Sequence, residues 1–173
     1  MTERRGLVAT ALFAVGAAAV VFACLPGAWP CPLRQGPVTS AAEVPEVVAA
    51  VRAAAAACTS GDAAAFAAAT TRDHRERVTR QLAAVDATLD ARSLRAIGAE
   101  GARVDWFAQP MWAGLVRGRR AVVALARPEG DGAQLMSFVW DGHRVLFDGA
   151  RHAPNVRSST AAQAAVQAAF ERE

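Results

Sequence analysis

The sequence predicts an α+β fold: an apolar N-terminal helix, a layer of short amphipathic helices packed on a curved antiparallel sheet, and a closing helix. Three observations predict it. Leu7 to Leu25 is an apolar run without a charge. From Ala41 to Leu89 apolar residues recur three and four positions apart, the spacing of one face of a helix. From Arg103 onward they recur about every second position, the period of a strand with a buried face.

The chain has 173 residues, 53% of them apolar and 20% charged, with 13 Gly and 8 Pro. That is enough for one domain and an accessory segment, too little for two full domains, and unlike a disordered or collagenous composition. Every basic residue is Arg, and the net charge is +3. Because Arg alternates with Asp and Glu, and the densest cluster (Arg117, Arg119, Arg120) has no aromatic platform beside it, nucleic acid is not an expected partner.

The first six residues, with Arg4 and Arg5, read as a cytoplasmic stub. Residues 7–25 are just long enough as a helix to cross a bilayer core of about 30 Å. Nine of them are Leu, Val or Phe, which together favour insertion by roughly 3 to 5 kcal/mol. Arginines before the span place the N-terminus in the cytoplasm and the rest outside, as a single-pass cell-membrane protein. Two other readings stay open: a signal peptide cleaved near Ala23, or lipidation of Cys24 in Val21-Phe22-Ala23-Cys24, where Phe22 is bulkier than lipoprotein signals usually carry. All three export the domain.

Residues 26–40, rich in Pro and Gly, read as a stiff tether. A helix follows from Ala41 to Cys58, stopped by Thr59-Ser60-Gly61, with Asp62 capping a second helix to Ala69. Val78, Leu82, Val85 and Leu89 form the apolar stripe of a third. Gly98 and Gly101 mark the change to strands, expected at Arg103 to Ala108, Met111 to Arg117, Arg120 to Arg127, Gln134 to Trp140 and His143 to Asp148. Asp141-Gly142 suits a type I′ hairpin. The fourth strand is apolar on both faces, so the helices should cover one side and the C-terminal helix, a pocket or a dimer partner the other. Residues 41–151 thus read as the domain and 152–173 as a loop and final helix, with Thr160-Ala161-Ala162-Gln163 as a capping box.

Ser60-Gly61-Asp62 before an Ala-rich turn and Phe66, then an antiparallel sheet ending in Trp140-Asp141-Gly142-His143-Arg144-Val145, resembles the nuclear-transport-factor-2-like superfamily over about Ala41 to Arg151. The whole arrangement is similar to membrane-anchored actinobacterial members, such as those associated with mammalian-cell-entry transporters. The resemblance implies a cystatin-like cone and, in enzymatic members, an acid or base inside it. Asp105 is the first candidate, with Asp148 and His74 beside it; each is also the kind of residue that commonly faces water. Trp106, Trp112, Phe138, Trp140 and Phe147 are candidates for an apolar ligand pocket, or equally for core or a dimer surface through the sheet.

Cys31 and Cys58 form the candidate disulfide of an oxidising compartment, unless Cys58 is simply a buried apolar residue. No spacing of Cys, His or carboxylates predicts a metal site, and no motif calls for a cofactor. The leading expectation is a non-catalytic, membrane-anchored scaffold or binding module of an envelope complex, with the bilayer and other envelope proteins as partners. A small exported lyase or isomerase using Asp105, and an apolar-ligand carrier, are the alternatives.

Overall fold

The tether does not stay outside the sheet. In the computed structural model, which describes residues 31–101, 105–128 and 130–171, Gly36–Val38 forms an edge strand, β1. Pro37 is tolerated there because an edge strand can spare one backbone donor. Gln35 pins the strand by exchanging hydrogen bonds with Gly118, donating through Nε2 to its carbonyl (3.0 Å) and accepting from its amide (2.7 Å). The stub, the 7–25 span and the start of the tether lie outside the described residues. Among the described residues no helix is long and apolar enough to cross a membrane.

Helix α1 (Pro45–Ser60) begins later than the periodicity predicts, because Pro45 suits a first helical turn and Ala41–Glu43 is a separate 3-10 turn. It ends where expected, at Gly61 in the left-handed conformation (φ 72°). Asp62 accepts from the Ala65 amide (2.9 Å) and opens α2 (Ala63–Ala69). Helix α3 (Arg72–Ala83) buries Val78 but stops short of the predicted Leu89. Asp86 takes φ 55° and the Ala87 amide returns to the Leu82 carbonyl (2.9 Å), so the chain turns away and Val85 is left 71% exposed.

The segment predicted to lose helicity instead forms α4 (Ala91–Gly101). Asp90 Oδ1 accepts from the Ser93 amide (2.8 Å), and Leu94 is fully buried with Ala57, Cys58, Phe66 and Val78. Gly98 is an approach point, not a break: a Cβ there would lie 2.8 Å from the Thr59 nitrogen, so its absence lets α4 lie directly against the end of α1.

The sheet is a meander in the order β1-β2-β3-β4-β5, antiparallel throughout, with β2 Met111–Arg117, β3 Arg120–Ala126, β4 Ala133–Trp140 and β5 Val145–Ala153. Register shifts between Met111 and Ala113 and between Ser137 and Phe138 are sites of local bending. The strand expected over 103–108 is absent from its described part: Trp106–Ala108 is a 3-10 turn, and 102–104 lie outside the described residues. The β4–β5 connection is not a type I′ turn either. Only Gly142 has positive φ; Asp141 Oδ1 accepts from the His143 and Arg144 amides (2.8 and 2.9 Å), so the side chain shapes a four-residue loop.

Each sheet face has its own core. Val44, Val47 and Ala50 of the helical side pack with Val123, Leu125, Met136 and Phe138. On the opposite face Val122, Ala124 and Leu135 meet Ala162 and Val166 of α5 (Ser159–Glu171). The helix α5 is capped by Ser158, whose Oγ accepts from the Ala161 amide (3.2 Å), and not by the predicted box at Thr160. The basic hairpin does have an aromatic partner: Arg117 and Arg120 lie 5.5 and 5.2 Å over the Phe170 ring, fastening α5 to the β2–β3 turn.

Candidate functional site

Helix α1 is rich in alanine, and a methyl group cannot fill the space a Leu or Phe would occupy between helix and sheet. The unfilled space is a cavity of about 460 Å³. Val51, Ala54 and Cys58 wall it from α1, Val78 and Leu82 from α3, and Met136 and Phe147 from the sheet, with Trp106 at one side. Its polar side chains are His74, Gln81 and Gln134.

His74 is set by the start of α3. Thr71 caps that helix, its Oγ1 accepting from the His74 amide (3.1 Å). The imidazole stands edge-on to Phe147 (5.1 Å, 74°) and tilted to Phe66 (6.1 Å). Burial, reinforced by the nearby Arg77 charge, pushes its pKa from 6.5 down to about 4. At neutral pH the ring is therefore uncharged, one nitrogen donating and the other accepting.

Helix α3 is stitched to β5 at this point. Thr71 Oγ1 donates to Asp148 Oδ1, Arg77 donates to the Asp148 carbonyl, and Arg77 Nη2 lies 3.6 Å from the same carboxylate. The Thr71 amide donates to the Phe147 carbonyl (3.0 Å), and Thr70 bridges Phe147 in parallel, partly covering the β5 edge. Gly149 completes the junction: at φ +140° a side chain is strained, and a Cβ would lie 3.2 Å from His74 Nδ1 and 3.1 Å from Arg77 Nη2.

Behind the junction is a polar recess of about 430 Å³, with Arg77, Ser137, Asp148 and Arg151 in its wall. It shares His74, Val78, Gln81 and Ala150 with the apolar cavity, so the two adjoin along α3 and β5.

The structure therefore puts His74, Trp106 and Phe147 in the wall of the apolar cavity and Asp148 with His74 in the recess, and separates the other candidates. Asp105 is exposed, is not among the cavity-lining residues, and caps the 3-10 turn by accepting from the Phe107 amide (3.2 Å). Phe138 is solid core beside Phe147 (5.7 Å between rings). Trp140 packs in the same core and Trp112 lies on the α5 side.

Cys31 and Cys58 are both free thiols. Cys31 packs with the first core. Cys58, on α1, belongs to the third cluster, so the two thiols sit in different parts of the core. Burial raises the Cys58 thiol pKa.

Sequence reasoning missed the α1 and α4 walls, Gln81, Gln134 and the Arg77–Asp148 contact. The available signal was Val78 and Leu82 at helical spacing, which marks the face of α3 turned to the sheet. No family model, curated protein or solved structure matches the chain.

Proposed function

We propose that the chain is a membrane-anchored, extracytoplasmic binding module of an envelope complex, non-catalytic, whose cavity holds an apolar ligand. The observation that carries the binding reading is the cavity itself: about 460 Å³, walled by apolar side chains, with an uncharged His74 among its few polar groups. The uncharged apolar run of residues 7–25 behind Arg4 and Arg5 supports the anchor. Helices inserted between the first strand and the remaining four of an antiparallel sheet, with a cavity between the layers, support a cone of the nuclear-transport-factor-2-like kind. A lyase or isomerase built on Asp105 draws no support from an exposed capping carboxylate.

The test uses Trp106, which stands in the cavity wall. Titrating the full chain with 1-decanol should change its fluorescence saturably, with Trp106→Phe as the blank. Ala150→Phe fills the exposed boundary of cavity and recess and should abolish the change. Absence of a saturable Trp106 signal would refute the reading.

A further inference from the structure

The apolar cavity and the polar recess adjoin, and their charges are unequal. The ionisable groups facing the recess are Arg77 and His74 from α3 and Asp148 and Arg151 from β5. His74 is uncharged at neutral pH. The Asp148 carboxylate is already held by Thr71 and Arg77, and Arg77 is spent on that residue's carbonyl and carboxylate. Arg75, one residue after His74, turns away and donates to the Ala67 and Thr70 carbonyls (2.8 and 2.6 Å).

Arg151 remains. Paired with Leu135, it leaves the sheet on the α5 side, where it is exposed and lines the recess as that recess passes round the β5 edge; among the described residues its side chain has no hydrogen bond or ion pair. An Asp148–Arg77 pair plus one uncommitted guanidinium leaves the recess with a net positive charge, round the β5 edge from the apolar cavity and joined to it at His74, Gln81 and Ala150. Apolar volume joined to one spare cation is complementary to a molecule with an apolar body and one anionic end.

We propose that the site takes a single-chain anionic amphiphile, its chain in the cavity between α1, α3 and the sheet and its negative head on Arg151. This rests on the apolar-cavity reading and deepens it by naming the ligand class. The neutral His74 and Gln81, both at the junction of the two spaces, offer hydrogen bonds to the polar end without adding charge. Arg77 holds α3 on β5 and is a positioning residue, so Arg151 carries the head-group contact.

The experiment is a titration of the full chain in zwitterionic nanodiscs, read by Trp106 fluorescence against a Trp106→Phe blank, at low ionic strength. Decanoate, 1-decanol and decyltrimethylammonium present one chain with negative, neutral and positive ends. Decanoate should bind about fivefold more tightly than decanol, the scale of a well-placed exposed ion pair, and the ammonium more weakly than either. Arg151→Gln should bring decanoate to the level of decanol and leave decanol unchanged; the side chain is exposed, so folding is not at stake. Each methylene removed, as in octanoate, should weaken binding roughly fourfold.

Soluble dihexanoylphosphatidylglycerol tests a bilayer lipid as the source of the same negative end, and should bind more weakly than decanoate because it brings two chains to one cavity. Tighter binding of that lipid, equal binding of decanoate and decanol, or a preference for decanoate that survives Arg151→Gln would overturn the proposal while leaving the apolar cavity intact. Failure of both decanoate and decanol to move the Trp106 signal would overturn the cavity reading along with it.

Discussion

Acidification should destabilise the domain through a single imidazole. His74 has a pKa of about 4 in the folded chain against 6.5 when solvated, because burial between Phe66 and Phe147 disfavours its cation. The folded state thus refuses a proton that the unfolded state accepts. Above pH 6.5 neither state binds it and the full stability is present; as pH falls from 6.5 toward 4 stability is lost. At about 1.4 kcal/mol per pH unit the loss approaches about 3 kcal/mol, a large share of the 5–15 kcal/mol typical of a domain.

Glu43 and Asp90, held below the usual carboxylate range chiefly by hydrogen bonds from Thr39 and from the Ser93 amide, also lose their contribution in acid, but only as pH falls through carboxylate values. Comparison with His74→Gln removes their share. Urea unfolding of both proteins, followed by far-ultraviolet circular dichroism at neutral pH and at about pH 4.5, should show wild type losing about 2.5 kcal/mol more than the variant. Equal pH dependence in the two proteins, or a His74 ring resonance titrating near 6.5, would refute the argument.

Leu94→Ala, at a fully buried position between α1, α2 and α3, should cost about 2–5 kcal/mol in the same unfolding assay. Gly98→Ala should cost about 1–3 kcal/mol and shift the Trp106 emission, because the new methyl meets the backbone of Cys58 and Thr59 and pushes α4 off α1 at the cavity wall. A thiol reagent should label half-buried Cys31 faster than buried Cys58, and a reductant should leave the thermal midpoint unmoved; a midpoint that falls on reduction would show the two joined. Thr71→Val should lower stability by about 1 kcal/mol or more, since it removes both the cap of α3 and the hydrogen bond to Asp148.

Local rules were legible wherever one short stretch of chain carried the whole cause. Asp62 caps α2 as its position implies, Val78 and Leu82 face inward at their spacing, and β2, β3 and β4 fall within two residues of the periodic runs. The errors lie where a distant partner decides. Gly98 looks like a helix breaker until α1 is beside it, and Pro37 looks like tether until β2 offers an edge. Asp105 reads as an alternating strand residue, although its own backbone turn takes the carboxylate.

The cavity was only half legible because small side chains on α1 make it, and a missing volume has no sequence pattern. The aromatic cluster was overcounted for a related reason. The register shift near Met111 puts both Trp112 and Ala113 on the α5 side, so simple alternation cannot assign a tryptophan to the pocket.

Strand β1 pairs Val38 with Gly114, so the whole helical layer is threaded between two neighbouring strands. The other three strand pairings join hairpins that close over short loops, whereas this one closes a ring containing α1 to α4. Loop-closure entropy therefore makes the β1–β2 pairing the costliest of the four to close, and docking of the helices is what brings its two ends within reach.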